Sequence, residues 1–520
     1  MAHLIAPCVF RTLRNLLRLF RIVRILGRHD ALFLLRVINL GKLVPVLRLV
    51  FWPRRAAKHQ RPGERIAAAL QDLGPAFIKF GQTWSTRPDL IGPEIAADLA
   101  TLRDRLPPFP TPLAIATIEK ELGKPLVAVF AEFGDPVAAA SIAQVHFALT
   151  TDGREVAVKV LRPGIEQRFQ RDIDLFFWLA GIAERNVPGM QRLKPVAVVQ
   201  KFADGTIIEM DLTLEAAAAD EVAENFTGDS TYRVPAVDWE RTSQRVLTLQ
   251  RVAGIGIGDT TAIVAAGIDP RVVVRNLLWG FLHQVFRDGF FHADMHPGNL
   301  FVDADGNILA VDFGIMGRLD LQTRRYLADL MLAFLTRDYR RVAEVHFEAG
   351  YVPANKSLDA FAQACRAIGE PVLGRPAHEV SIARLLGQLL RTTETFAMET
   401  QPQLLLLQKT MVVAEGVARS LDANVVFWEL AQPVIEEWIW DTMGPAARLR
   451  ETVAKAADLA RRLPEVVNTA EKVLVEASER GVRLHDDSLR FIVADNRRRD
   501  RRIQVLLAAV IGLLLAVLFL

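Results

Sequence analysis

The sequence predicts an α+β fold, with a helical N-terminal extension and a C-terminal transmembrane helix. Three observations carry that prediction. First, the stretch Phe290–Leu319, FFHADMHPGNLFVDADGNILAVDFGIMGRL, holds two apolar runs, Asn299–Val302 and Ile308–Val311. They are joined by Asp303-Ala304-Asp305-Gly306-Asn307, and an Asp-Gly turn between such runs reads as a β-hairpin. Second, Glu155–Val160 follows a turn at Thr150–Gly153 and alternates, with Val156, Val158 and Val160 on one face and Ala157 and Lys159 on the other. Third, long helical patterns flank these strands, and the chain closes on an uncharged apolar run.

Composition bounds the partners. The 520 residues suit two to four domains, and a hydrophobic content of 51% supports large cores. A net charge of +3 argues against a general nucleic-acid binder. Charge placement is uneven, however: residues 1–65 carry Arg or Lys at fourteen positions against Asp30 and Glu64 alone, which points to an anionic lipid surface as partner. Two cysteines, Cys8 and Cys365, are too few for a disulfide framework, so a reducing compartment is expected. Arginines interrupt every early apolar run, so no secretory signal peptide is expected.

In chain order, Arg11, Arg14, Arg18, Arg21 and Arg28 recur at helical spacing with Leu, Ile, Val and Phe between them. Such a basic stripe beside an apolar one fits a helix lying in a membrane interface or packed on the core, and also a mitochondrial presequence. Residues 61–125 read as helices and contain Phe77-Ile78-Lys79-Phe80-Gly81-Gln82, then Thr86-Arg87-Pro88-Asp89-Leu90. A lysine on an apolar helix is costly to bury unless paired, so Lys79 is expected to have a partner. Pro107-Pro108-Phe109-Pro110-Thr111-Pro112 reads as a stiff linker. The loop before the Lys159 strand is rich in alanine, Ala138-Ala139-Ala140-Ser141, and each Cβ disfavours the φ > 0 conformations with which a glycine loop wraps phosphates.

V-A-V-K is a strand-borne lysine pattern that pairs nucleotide phosphates with a helical carboxylate. Ile207–Glu215 supplies acidic candidates in Glu209, Asp211 and Glu215, although an isolated helical Glu is usually on a solvated face. Val246–Val252 reads as a buried strand leading into Gly254. In the 290–319 hairpin, His292, Asp294, His296 and Asn299 precede the first strand and Asp312 follows the second, so the turn brings them to one end. His292 and His296 have the spacing of a helical metal pair, but Pro297-Gly298 breaks a helix there. Asp294 and Asn299 have the Asp-to-Asn spacing of the kinase catalytic loop, and Asp312-Phe313-Gly314 is the element that holds Mg²⁺ on nucleotide phosphates. After Gly317 the chain enters helical patterns at Thr323–Leu335 and Arg340–Gly350 with no peptide-seating segment, and residues 355–495 read as mostly helical without recognisable chemistry. Arg497-Arg498-Arg499-Asp500-Arg501-Arg502 precedes Ile503–Leu520, whose eighteen residues would make about 27 Å of helix, close to a bilayer core, with the body on the cytoplasmic side.

The string H-x-D-x-H-P-G-N followed by V-D-F-G, together with Lys79-x-Gly81-Gln82 and the Ala-rich loop, resembles the UbiB family of atypical kinase-like proteins. The resemblance covers roughly residues 60–350. It implies a two-lobed, protein-kinase-like domain, with Lys159 paired to Glu215, and Glu209 and Asp211 paired to Lys79 over the nucleotide mouth. Asn299 and Asp312 would hold Mg²⁺, and Asp294 would be the base or water-orienting group. Ala138, Ala139, Ala140, Ser141 and Gln250 would contact ATP, while Gln82, His292 and His296 would be supporting residues. The family usually has an acidic and an aromatic residue where Gln250 and Arg251 stand, a departure confined to the adenine pocket. The implied function is an ATPase supporting ubiquinone biosynthesis, acting on polyprenyl-phenol lipid intermediates beside other proteins of that pathway. The implied location is the bacterial inner membrane, with the mitochondrial inner membrane as the alternative. A small-molecule or lipid kinase and a nucleotide-gated scaffold are the rival readings; a hydroxylase ranks last, because no flavin fingerprint follows a strand. The expected domains are a basic helical region (1–60), the K-x-G-Q extension (61–125), a small lobe (126–253), a large lobe (254–450), a helical tail (451–502) and the anchor (503–520).

Overall fold

Residues 2–33, 44–51, 60–85, 92–99, 102, 107–186, 195–371, 392–393, 395–398, 401–425 and 427–444 are those the computed structural model describes. The chain divides into two compact units, Met1–Trp440 and Asp441–Leu520, and of the second only 441–444 are described. The expected helical tail and the Ile503–Leu520 anchor therefore lie outside the described residues, as does Thr86–Leu90. Among the described residues no helix is long and apolar enough to cross a membrane.

The N-terminal helices are α1 (Ala2–Arg28), α2 (Pro62–Leu73), α3 (Pro75–Ser85) and α4 (Pro93–Leu99). Next, α5 (Thr111–Leu122) leads into the small-lobe sheet. Its strands are β1 (Phe130–Ala139), β2 (Ala143–Thr150) and β3 (Glu155–Leu161). Three helices follow, α6 (Ile165–Asn186), α7 (Pro195–Glu209) and α8 (Leu212–Asn225). After a short β4 (Tyr232–Arg233), β5 (Val246–Gln250) completes an antiparallel sheet of order β1-β2-β3-β5.

Alternation along β3 decides what lies on each face of this sheet. Val156, Val158 and Val160 are buried with Val246 against Ala114 and Ile118 of α5. That contact corrects two sequence expectations: the proline-rich run starts a helix at Thr111 rather than spacing two domains, and α5 packs with the small lobe rather than with the extension. The opposite face presents Leu161, Leu247 and Leu249, which form one core with α2, α3, α6, α7 and α8 through residues such as Leu70, Phe77, Phe176, Phe202 and Leu212. Lys159 lies on this second face, level with α8. The C-terminal half of α1 joins the same core through Ile22, Ile25 and Leu26, and Arg14 and Arg18 bond Asp174 and Asp172 of α6 at 3.1 and 2.7 Å. Arg21, Arg24 and Arg28 stay exposed, with Leu17 and Phe20. The helix is thus core-packed along one side and basic and apolar along another.

The large lobe is built on β6 (Ile255–Gly256) and α9 (Pro270–His283), then β7 (Phe290–His292), β8 (Leu300–Val302), β9 (Ile308–Ala310) and β10 (Met316–Arg318). β8 and β9 form the hairpin and sit in a sheet of order β4-β9-β8-β6, while β10 pairs with β7. Helices α10 (Leu321–Leu335), α11 (Tyr339–Glu348) and α12 (Leu358–Gly369) share a separate core around Val342, Phe361 and Cys365. Finally α13 (Pro402–Leu421) lies against α9 and β10.

Candidate active site

The hairpin turn fixes the site first. Asp303 accepts from the Asp305 and Asn307 amides at 3.0 and 2.8 Å and so closes the β8–β9 turn at the far end. At the near end the Val311 amide donates to the Asn299 carbonyl at 2.9 Å, which sets Asn299 beside the peptide that leads into Asp312. Asn299 is buried, and its amide nitrogen donates to the Asp294 carbonyl at 3.0 Å. That bond leaves the Asn299 Oδ1 as the acceptor available at the cleft. Asp312 has φ 64°, in the left-handed region, where a short carboxylate is among the few tolerated side chains.

His292 is buried and carries the loop from beneath. Its Nδ1 accepts from the Asp294 amide at 3.1 Å and its Nε2 donates to the Val311 carbonyl at 3.3 Å, so one neutral tautomer satisfies both bonds. Burial lowers its pKa, against the Val311 hydrogen bond and the nearby carboxylates. His296 is exposed and serves the loop turn, accepting from the Gly298 amide at 2.8 Å. The two rings have separate structural partners, and among the described residues no group of three or more His, Cys, Asp or Glu is arranged to hold a metal.

From the small lobe, Lys159 reaches the same point. Its Nζ lies 2.7 and 2.9 Å from the two Glu215 oxygens and 3.1 Å from Asp312 Oδ1. Glu215 stands in the first turn of α8 and is buried. Burial pushes Glu215 up to about 7, against the pull of Lys159 and with the push of Asp312. Depth in the cleft would also raise Asp312, 47% of whose side chain is nonetheless open to solvent; Lys159 more than reverses this and holds it well below the usual carboxylate range. Depth would lower Lys159, and the two carboxylates together hold it above the usual lysine range. Two acids and one base share the cluster, and the Lys159 ammonium favours the charged form of both acids.

α8 is placed by its own N-terminus. Asp211 caps it, accepting from the Thr213 amide at 3.1 Å and the Thr213 hydroxyl at 2.5 Å, while its other oxygen receives Gln244 at 3.4 Å. The expected Asp211–Lys79 pair is therefore replaced by a helix cap. Glu209, the last residue of α7, pairs with Lys79 at 2.7 Å, and Lys79 is only 13% exposed. Gln82, one turn further along α3, reaches the Leu102 carbonyl at 3.4 Å. The α7–α8 junction thus carries Glu209 toward the extension and Glu215 toward the sheet.

The Ala-rich stretch is the β1–β2 turn. Ala138 and Ala139 are strand residues paired with Val145 and Gln144. The Ala140 amide donates to the Ala143 carbonyl at 2.8 Å, and its carbonyl accepts Nε and Nη2 of Arg162 at 3.0 and 2.9 Å. Ser141 is fully buried, with no hydroxyl partner among the described residues. Sequence reasoning assigned the Ala140 backbone to phosphates; the fold ties it internally. Arg162 Nη2 also donates to the Pro107 carbonyl, and Gln144 exchanges bonds with both backbone groups of Phe109. Arg162 and Gln144 went unremarked in the sequence because the partners that clamp the turn lie 22 to 55 residues away. Gln250 ends β5 with its side chain exposed and its amide bonded to the Ala236 carbonyl at 2.8 Å, so that amide is not presented to a ligand. One further residue was missed: Lys409 of α13 stands 3.7 Å from Asp294 Oδ1.

Comparison with known proteins agrees with this geometry. The ABC1 atypical kinase-like domain matches residues 101–346, and the UbiB helical domain matches 365–425. "Probable protein kinase UbiB" of Marinobacter nauticus is 40% identical over 476 residues, covering 90% of this chain and 86% of that protein. This chain belongs to the UbiB family. The protein of the same description from Aeromonas hydrophila is 41% identical over 482 residues, covering 91% and 87%. Among solved structures, the Mycobacterium tuberculosis Rv3197–erythromycin complex matches at a TM-score of 0.50 and 22% identity, covering 76% of this chain and 98% of that one, which supports the fold alone. The UbiB membership makes the chain an atypical kinase-like protein, consistent with a role in ubiquinone biosynthesis.

Proposed function

We propose that this UbiB protein hydrolyses ATP at the membrane in support of ubiquinone biosynthesis, acting on or extracting polyprenyl-phenol intermediates. The observation that carries the reading is the Lys159 ammonium held by both Glu215 and Asp312. It aligns a phosphate-binding cation, its helical carboxylate and a cleft carboxylate on two lobes. Oxygen donors Asp312 and Asn299 fit Mg²⁺, which takes one or two protein oxygens and completes its shell with phosphate and water. Bound there, the ion would neutralise phosphate charge; Lys159 would position phosphates, and Asp294 would orient the attacking group.

A protein substrate fits poorly. From Asp312 the chain passes through β10 straight into α10 at Leu321, so no long segment intervenes to seat a peptide. Lys79 of the extension, tied to Glu209 at the end of α7, supports a narrowed access to the nucleotide. For membrane attachment, exposed Arg21, Arg24, Arg28, Leu17 and Phe20 support an anionic lipid surface, and the uncharged Ile503–Leu520 run supports a C-terminal anchor. Phosphate release by the full chain, with and without anionic liposomes and a phenolic quinone mimic, tests the proposal. Mg²⁺-dependent release stimulated by both additions is expected. A phosphorylated phenol as the main product would replace it with the small-molecule kinase reading, and nucleotide binding without turnover would leave the scaffold.

A further inference from the structure

The catalytic loop itself carries no cation: Asp294-Met295-His296-Pro297-Gly298-Asn299 holds neither Lys nor Arg, and the His296 ring is engaged by the Gly298 amide. Lys159 is closed in by two carboxylates within 3.1 Å and is 16% exposed. Displacement of a terminal phosphoryl group nevertheless spreads charge over its oxygens at the point where Asp294 acts, and a cation there is worth most.

Such a cation arrives from far along the chain. Lys409 Nζ lies 3.7 Å from Asp294 Oδ1, beyond hydrogen-bond reach, and the lysine is 35% exposed. The ammonium therefore faces Asp294 without being hydrogen-bonded to it, and both side chains are about a third open to solvent. Its register is fixed by the next residue: Thr410 is buried, and its hydroxyl contacts the carbonyls of Ala293 at 3.2 Å and of Leu406 at 2.9 Å. Ala414, Val417 and Ala418 bury the following turns of α13. Consecutive residues of one helix thus grip the backbone before Asp294 and face its side chain.

We propose that Lys409 is a catalytic residue that binds the terminal phosphate of the nucleotide beside Asp294, so that the helical domain completes the active site. This rests on the ATP-hydrolysis reading. A purely structural surface pair would contribute little and could not distinguish nucleotides by their terminal phosphate. The test uses the full chain in detergent with Lys409→Met, Lys409→Arg and Asp294→Asn. Affinities for Mg·ADP and for the Mg complex of the non-hydrolysable β,γ-imido ATP analogue are measured alongside ATP turnover. Lys409→Met should lose about tenfold or more in analogue affinity and in turnover, as for a lost charged hydrogen bond. Its ADP affinity and melting temperature should stay at the wild-type values, and Lys409→Arg should recover part of the loss. Wild-type turnover in Lys409→Met, or equal weakening of both nucleotides, overturns the role of Lys409 while Asp294→Asn remains inactive. Full turnover in Asp294→Asn, or a wild-type chain that neither binds nor hydrolyses Mg·ATP, overturns the underlying reading and this proposal with it.

Discussion

Asp312 combines three demands in one side chain: a left-handed backbone, a short oxygen donor, and a charge that Lys159 holds in place. Asparagine meets the first two and fails the third. Asp312→Asn should therefore fold, with a melting temperature in the absence of nucleotide within about 4 °C of wild type, because Asp312 is half exposed and Lys159 keeps its bonds to Glu215. It should lose the thermal shift given by Mg·ATP, which in a competent protein at a hundredfold excess over Kd corresponds to about 2.7 kcal/mol. A full Mg·ATP shift in Asp312→Asn would remove Asp312 from the metal site. Lys159 was legible in the sequence because it sits in a period-2 strand, whereas Glu215 was reached only through the family resemblance, since an isolated helical acid ordinarily faces solvent. The resemblance misjudged Asp211, since an acid one residue before a helix is needed first by that helix's free amides.

At the scale of elements, the β8–β9 hairpin was the most readable part, because alternation and an Asp-Gly turn are short-range signals. The clamp on the Ala-rich turn was not readable: it needs Arg162 and Gln144 to meet backbone groups of residues 107–109 brought close only by the fold. Its consequence is a turn whose Ala140 donor and acceptor are both engaged. Ala140→Gly removes the Cβ but leaves both bonds in place. Nucleotide affinity should therefore stay within about twofold of wild type. A variant that binds nucleotide about five- to tenfold more tightly would mean that the Ala140 backbone is free to reach phosphate. The interlobe connection makes a second case. A Cβ on Gly254 would come 2.9 Å from the Val302 carbonyl oxygen, a backbone atom that cannot swing aside. Gly254→Ala should thus cost about 1–3 kcal/mol, read as a lowered urea midpoint, whereas an unchanged midpoint would mean the connection can shift freely.

For the whole molecule, membrane retention and acid lability are separable. Deleting Ile503–Leu520 should release much of the protein from membranes, and the remainder, held through α1, should weaken with salt because exposed charges are screened beyond about 8 Å at physiological ionic strength. Retention through high salt and carbonate would refute the single anchor. Acid acts on the folded body instead. His146, His283, His292 and His346 all have pKa values lowered first by burial. Two of them are also locked in one tautomer. His146 Nε2 accepts from Gln144 at 2.8 Å and its Nδ1 donates to the Gly134 carbonyl at 2.8 Å, while His292 Nδ1 accepts from the Asp294 amide. Protonation would set donor against donor in both. As pH falls below the ordinary histidine value of about 6.5, the unfolded chain takes up protons that the folded chain refuses, so stability drops. The loss is about 1.4 kcal/mol per group for each pH unit between the unfolded and folded values. Glu215, raised to about 7, works the other way: the folded chain regains protons first, recovering stability between about pH 7 and the ordinary glutamate range. The four histidines outnumber the acids raised first by burial, Glu215, Glu415 and Asp172, so the urea midpoint should hold from pH 8 to 7 and fall from pH 6.5 to 5.5. His146→Gln should make that fall shallower by one group's share. A midpoint flat across the range, or a slope unchanged in His146→Gln, would mean that these rings find room to charge within the fold.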